Sequence, residues 1–177
     1  MLRNGSRANG LCGYSSVDAG KVRFRQMPEN DKILVDRYFS ELLNDGDFAR
    51  AHEILAPGFL FYGPSTRDGL DSEGFMRFVA ETRAAFSNKH FAELDRIVDG
   101  NRVALRFRMT GMQDGSFHGI PPMGGMINVE GFDLIYINQG KITEVHAYFD
   151  LMTVVQQILI PAPVRMFGEI VSRFWPR

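Results

Sequence analysis

Residues 141–157, KITEVHAYFDLMTVVQQ, change period in their middle, and few architectures accept that change. Ile142, Glu144, His146, Tyr148 and Asp150 alternate with Thr143, Val145, Ala147 and Phe149, the period of a β-strand. Leu151, Val154, Val155, Ile158 and Leu159 then recur at the spacing of an amphipathic helix. Asp150 stands at the junction. A strand face carrying His, Tyr and Asp at every second position reads as the polar wall of a small-molecule pocket.

The chain before this stretch divides into helices and then strands. Asn30 or Asp31 can cap a first helix, whose stripe is Leu34, Tyr38 and Leu42 with Val35, Phe39 and Leu43 beside them; Asn44-Asp45-Gly46 ends it. Asp47 starts a short second helix with Phe48, Ala51 and Leu55 inward, closed by Pro57 and Gly58. Residues 59–62 predict a brief strand, and residues 72–86 a third helix with Phe75, Phe78, Val79 and Thr82 on one side. From His90 onward the pattern is β. Asp99-Gly100 is a hairpin signal, and Val103, Leu105, Phe107 and Met109 share one face of the next strand. A Gly- and Pro-rich loop holding His118 follows over residues 111–125, then a strand over residues 126–138 and a turn at Gln139-Gly140. Three helices, an antiparallel meander and a last helix predict an α+β domain with helices on one face of the sheet.

The turn sets a register. If Gln139-Gly140 is a two-residue loop, Asn138 pairs with Lys141, so Asp133 faces His146, Gly131 faces Tyr148 and Val129 faces Asp150. Facing side chains lie about 4.5–5.5 Å apart at Cβ, close enough for Asp133 to orient the His146 imidazole. Asp133, His146, Tyr148 and Asp150 would then share the concave face under the helices.

Composition narrows the function. The 177 residues have a formal net charge of −1, which offers no general attraction to nucleic acid or to an anionic membrane. No apolar run is long enough to span a bilayer. The single cysteine, Cys12, cannot form an internal disulfide, which fits a reducing, cytoplasmic setting. Metal-ligand clusters, phosphate-binding Gly loops and Gly-x-Ser-x-Gly elbows are missing, so the sequence predicts neither a metal nor another cofactor. Among enzymes, acid/base work on a hydrophobic carbonyl compound remains.

The ends read differently from the body. Residues 1–26 are basic, rich in Gly and Ser and without apolar periodicity: a tail, or an organelle transit peptide, with Met27 an alternative start. After Pro161 and Pro163, the stripe Phe167, Ile170, Val171 and Phe174 predicts a further helix over residues 161–177, folded back, packed on a partner or touching a membrane. The domain proper would occupy residues 27–160.

Several motifs carry a family resemblance. The helical start, Gly119-Ile120-Pro121-Pro122-Met123-Gly124, the turn and strand Gly140-Lys141-Ile142-Thr143-Glu144, and Asp150-Leu151 with Gln156-Gln157 together resemble the SnoaL-like polyketide cyclases. The resemblance implies the nuclear transport factor 2-like fold, a curled sheet and helices forming a cone around an apolar pocket, and a homodimer. It also implies that Asp150 is the acid/base of an intramolecular aldol closure; the strand register, not the resemblance, sets His146 and Asp133 beside it, since the family commonly reads Glu-His-Trp where this chain has Glu144-Val145-His146. Tyr148, Tyr62, Arg106, Gln113, His118 and Met123 become candidates for substrate contact; Gln113, Met123 and Tyr62 stand where the family often carries a histidine, a threonine and a polar residue. The residues allow plainer roles too. Asp150 reads equally as a helix cap on Thr153, which lowers a carboxyl pKa where an apolar pocket raises it. His146 with Asp133 is equally a satisfied core pair, Tyr62 and Tyr148 core aromatics, and Arg106 and Arg108 residues of a solvated sheet face, or partners of Glu93 and Asp95. The alternative to an enzyme is a binding module of the same fold.

Overall fold

The computed structural model describes residues 26–66 and 68–160. The expectations for both chain ends therefore lie outside the described residues, apart from Met27, which packs into the core.

The first helix, α1, is Glu29–Arg37 and continues without a break as a π-helical stretch, Tyr38–Asp45, that stops at Gly46 in the left-handed conformation. The cap differs from expectation: the Pro28 carbonyl accepts from Asp31 and Lys32, and no side chain caps the helix. The stripe holds, with Leu34, Val35, Tyr38, Phe39, Leu42 and Leu43 all buried. Asp47 accepts from Ala49 N–H ahead of a one-turn helix, α2, Ala51–Ile54. Pro57 and Gly58 do not end it. They lie inside β1, Leu55–Tyr62, an edge strand with a register irregularity between Leu55 and Leu60, where a proline is tolerated. Helix α3, Ser72–Ala85, is capped by Asp71, whose side chain accepts from Gly74 N–H at 2.8 Å.

Four strands follow: β2 Phe86–Asp99, β3 Arg102–Gln113, β4 Met126–Asn138 and β5 Lys141–Phe149. They make a five-stranded sheet in the order β1-β5-β4-β3-β2, antiparallel except for β1 against β5. Helix α4, Leu151–Leu159, leaves β5 through Asp150 and lies on β4, where Gln157 bonds both backbone groups of Asn128. The core fills the concave side. Val103, Leu105, Phe107, Ile127, Ile135 and Val145 come from the sheet and meet Phe75, Val79 and Leu42 from the helices.

Two bulges decide which residues face that core. In β5 the turn closes as predicted, Asn138 opposite Lys141, but Ile137 then pairs Ile142 while Tyr136 pairs Glu144, leaving Thr143 extra. The bulge puts Ile142 and Val145, three apart, on the buried side together. Burying a side chain of that size contributes about 1.5–3 kcal/mol, which strict alternation would forfeit for one of them. In β2 the register shifts between Ser87 and His90, with Asn88 at a φ of 50°. Phe86, Lys89 and Phe91 thereby all turn inward.

Candidate functional site

An enclosed cavity lies between the concave face and the helices. It has about 50 Å³ of free volume, and its wall is almost wholly apolar, with Phe61, Phe78, Phe91, Phe107 and Met109 prominent. The polar side chains on its wall are Tyr38, Ser65, Thr82, Lys89, His118 and Asp133.

Asp133 is set by the alternation of β4, which buries Ile127, Val129, Asp133, Ile135 and Ile137 on one face. It is 3% exposed, and its Oδ1 has no hydrogen-bond partner among the described residues. Burial among apolar groups disfavours the charged form and pushes its carboxyl up to about 8. Tyr38 stands where α1 passes into its π-helical half, stacked on Phe75 at 5.8 Å, with a buried hydroxyl that also lacks a partner among the described residues. Its pKa is raised by burial first and by the Asp133 charge second, so the two groups are near neighbours electrostatically. Unsatisfied buried polar atoms cost about 1–3 kcal/mol each.

Lys89 enters from the β2 bulge, 9% exposed, with its ammonium 5.2 Å from the centre of the Phe91 ring. Desolvation, with Arg83 as a second cation nearby, lowers its pKa to about 7. His118 sits in the loop between β3 and β4 at a φ of 47°, its ring edge-on to Phe117. Gly115 seats that loop so closely on the Ala84 carbonyl that no side chain fits there.

The predicted constellation is divided between two faces. The β5 bulge moves Leu134 opposite His146 and Ala147 opposite Asp133, so Asp133 does not orient the imidazole. His146 turns to the outer face, stacks on Tyr62 at 4.7 Å and bonds Glu144 through Nε2 at 2.5 Å. Tyr148 is there too, 51% exposed and stacked on Phe132 at 5.0 Å. Tyr62, Phe132, His146 and Tyr148 thus line a shallow, open groove on the convex side rather than the enclosed cavity.

Asp150 follows its plainer reading. It is exposed, its Oδ1 accepts from Thr153 N–H at 3.0 Å and its Oδ2 from the Thr153 hydroxyl at 2.7 Å. Those bonds lower its pKa, the reverse of what a base in an apolar pocket needs, and it is not on the cavity wall. Arg106 lies on the outer face with Arg108, and both pair with Glu130 rather than with Glu93 or Asp95. Gln113 is fully buried, and its amide is engaged by the loop backbone: Nε2 donates to Gly115 and Pro121 carbonyls and Oε1 accepts from Met123 N–H. The Met123 side chain is exposed and away from the cavity. Among the predicted candidates, Asp133 and His118 alone reach the enclosed wall.

Sequence reasoning missed Tyr38 and Lys89 as site residues. Tyr38 carried a signal, being the one polar-tipped member of an otherwise aliphatic and Phe stripe. Lys89 depends on a bulge that only Asn88, a residue tolerant of positive φ, hints at.

Comparison with known proteins adds an independent line. Residues 33–158 match the family model of SnoaL-like polyketide cyclases. A solved structure from Jannaschia sp. CCS1, named as a candidate SnoaL-like polyketide cyclase, superposes with a TM-score of 0.68 at 29% identity, covering 75% of this chain and 93% of that one. IdmH from Streptomyces antibioticus, named as a candidate polyketide cyclase, gives 0.65 at 23% identity over 73% and 99%. A nuclear transport factor 2-like protein from Cytophaga hutchinsonii gives 0.51 at 21% identity over 74% and 97%, a likeness of fold. No curated protein sequence matches the chain. Sheet order, helix placement and these superpositions together assign the nuclear transport factor 2-like fold.

Proposed function

Given that the chain belongs to the SnoaL-like polyketide cyclase family, we propose that its enclosed cavity binds an apolar carbonyl compound and that Asp133 performs acid/base chemistry on it without a cofactor. The observation that carries this reading is the buried Asp133 carboxyl, held at about 8, whose Oδ1, like the Tyr38 hydroxyl that feels its charge, has no hydrogen-bond partner among the described residues. A catalytic base works best with a pKa near the operating pH.

The ionised Asp133 takes a proton from the carbon α to the carbonyl. Tyr38 O–H donates to the oxygen on which enolate charge develops, the role of an oxyanion donor in a dry site. In a cyclisation the enolate carbon attacks a second carbonyl of the same molecule, a carbon–carbon bond forms, and the new alkoxide takes the proton back from Asp133. In an isomerisation Asp133 returns the proton to a different carbon. The cavity is too small for a substrate as it stands. Pro64-Ser65 and Phe117-His118 are the wall segments outside regular helix and strand, so entry is through them.

Exchange of the α-hydrogens of α-tetralone in deuterated buffer, followed by proton NMR, tests this without knowledge of the natural substrate. Wild-type protein accelerates exchange. Asp133→Asn lowers the acceleration by roughly 10²–10⁴-fold, the usual contribution of a positioned acid/base group, while Asp150→Asn leaves it unchanged. Exchange retained in Asp133→Asn overturns the reading and leaves a ligand-binding module.

A further inference from the structure

Lys89 has no part in that chemistry, yet the fold departs from regular structure to place it. Strict alternation from the inward Phe86 would send residues 89 and 91 to the outer face, and the bulge at Asn88 turns both into the cavity instead. There the Lys89 side chain lies over the Phe91 ring, and no carboxylate hydrogen-bonds or ion-pairs with it among the described residues. A buried ammonium without an anion is an expensive arrangement. Its surroundings favour the neutral amine: apolar walls remove its hydration, and the guanidinium of Arg83 adds repulsion. A lysine desolvated in an apolar pocket, or set beside another cation, is how an amine nucleophile is activated near neutral pH.

We propose that Lys89 is a carbonyl-capturing amine, whose Nζ condenses with an aldehyde or ketone carbonyl of a ligand in the enclosed cavity to form an imine. The nitrogen lone pair forms the carbon–nitrogen bond, and the carbonyl oxygen takes up a proton to give a carbinolamine. The carbon–oxygen bond then breaks, and both hydrogens of the amine leave with that oxygen as water. No oxidant, reductant or cofactor enters the balance. The ligand class is an apolar compound with an unhindered aldehyde or ketone group. A protonated imine draws electrons from the neighbouring carbon more strongly than a carbonyl, so capture at Lys89 activates the same α-position on which Asp133 is proposed to act. The inference rests on the reading that carbonyl compounds enter this cavity.

The test uses the full-length protein, cinnamaldehyde as probe and sodium cyanoborohydride to fix any imine as a secondary amine, with peptide mapping by mass spectrometry. The chain has four lysines, Lys21, Lys32, Lys89 and Lys141, so the site of the adduct is unambiguous. The expected result is a single early adduct on Lys89, formed at least tenfold faster than on Lys32 or Lys141 and blocked by excess α-tetralone. Lys89→Met, whose fold is checked by circular dichroism, loses that adduct. Labelling of Lys89 no faster than the other lysines overturns the proposal. So does a Lys89 that captures no aldehyde while cinnamate binding depends on it, since the amine would then be an anion anchor. Asp133-dependent exchange of α-tetralone with no capture at Lys89 sinks the imine alone; capture at Lys89 with Asp133-independent exchange sinks the acid/base reading alone.

Discussion

Asp133 and His146 lie on opposite faces of the sheet, although the turn between their strands closes in the predicted register. One extra residue, Thr143, separates the two outcomes; its hydroxyl donates to the Tyr136 carbonyl at the bulge. The result is a cavity into which, among the described residues, one carboxyl points, with an aromatic ladder outside.

Stability should report the buried carboxyl. The Asp133 pKa is raised from 3.8 to about 8, so between those values the folded chain holds a proton that the unfolded chain has lost. The penalty is absent below pH 4, grows by about 1.4 kcal/mol for each pH unit and is complete above pH 8, at several kcal/mol at most. Asp133→Asn should therefore raise the melting temperature more at pH 8 than at pH 4. An equal gain at both would mean that the carboxyl is not held neutral.

Lys89 should behave in the opposite sense. Its pKa is lowered from 10.5 to about 7, so the cost of burial is complete below pH 7 and disappears as pH rises to 10.5. Lys89→Met should stabilise at pH 6 and have little effect near pH 10.5. Denaturant midpoints at those two values check this.

Gln113→Leu should loosen the loop that carries His118. Three hydrogen bonds from one fully buried amide to the loop backbone are lost, at a net cost of about 0.5–1.5 kcal/mol each. Amide hydrogen exchange should quicken across residues 114–124 before it does in β3 and β4. Uniform destabilisation, with no local change, would contradict the role given to Gln113.

Asp150→Ala should cost about 1 kcal/mol through loss of the α4 cap, and Asp150→Asn much less. Both should retain α-tetralone exchange.

The outer architecture was legible in the sequence because periodicity reports it. The helical stripe from Leu34 to Leu43, the inward set of β3 and the α+β order follow from which residues are apolar. The family motifs pointed to the same fold. The site was less legible, because a bulge moves side chains between faces without changing composition. Ile142 and Val145 are three apart and both buried, which period 2 cannot accommodate; that mismatch was readable and marks the bulge. The α-to-π transition at Tyr38 and the shift at Asn88 leave weaker traces. Asp133 was picked out for the wrong neighbour. The group that feels its charge in the cavity is Tyr38, from a helix more than ninety residues earlier.

The central claim is that this fold keeps a proton on Asp133 near neutral pH inside its apolar cavity. Carboxyl-carbon NMR of protein labelled at aspartate, titrated from pH 3 to pH 10, measures it directly. One aspartate resonance should titrate at about 8 and be missing from Asp133→Asn, while Asp150 titrates below its ordinary value of 3.8. If the Asp133 resonance instead titrates in the ordinary carboxylate range near 4, the carboxyl is solvated or paired and the acid/base account of the cavity is contradicted.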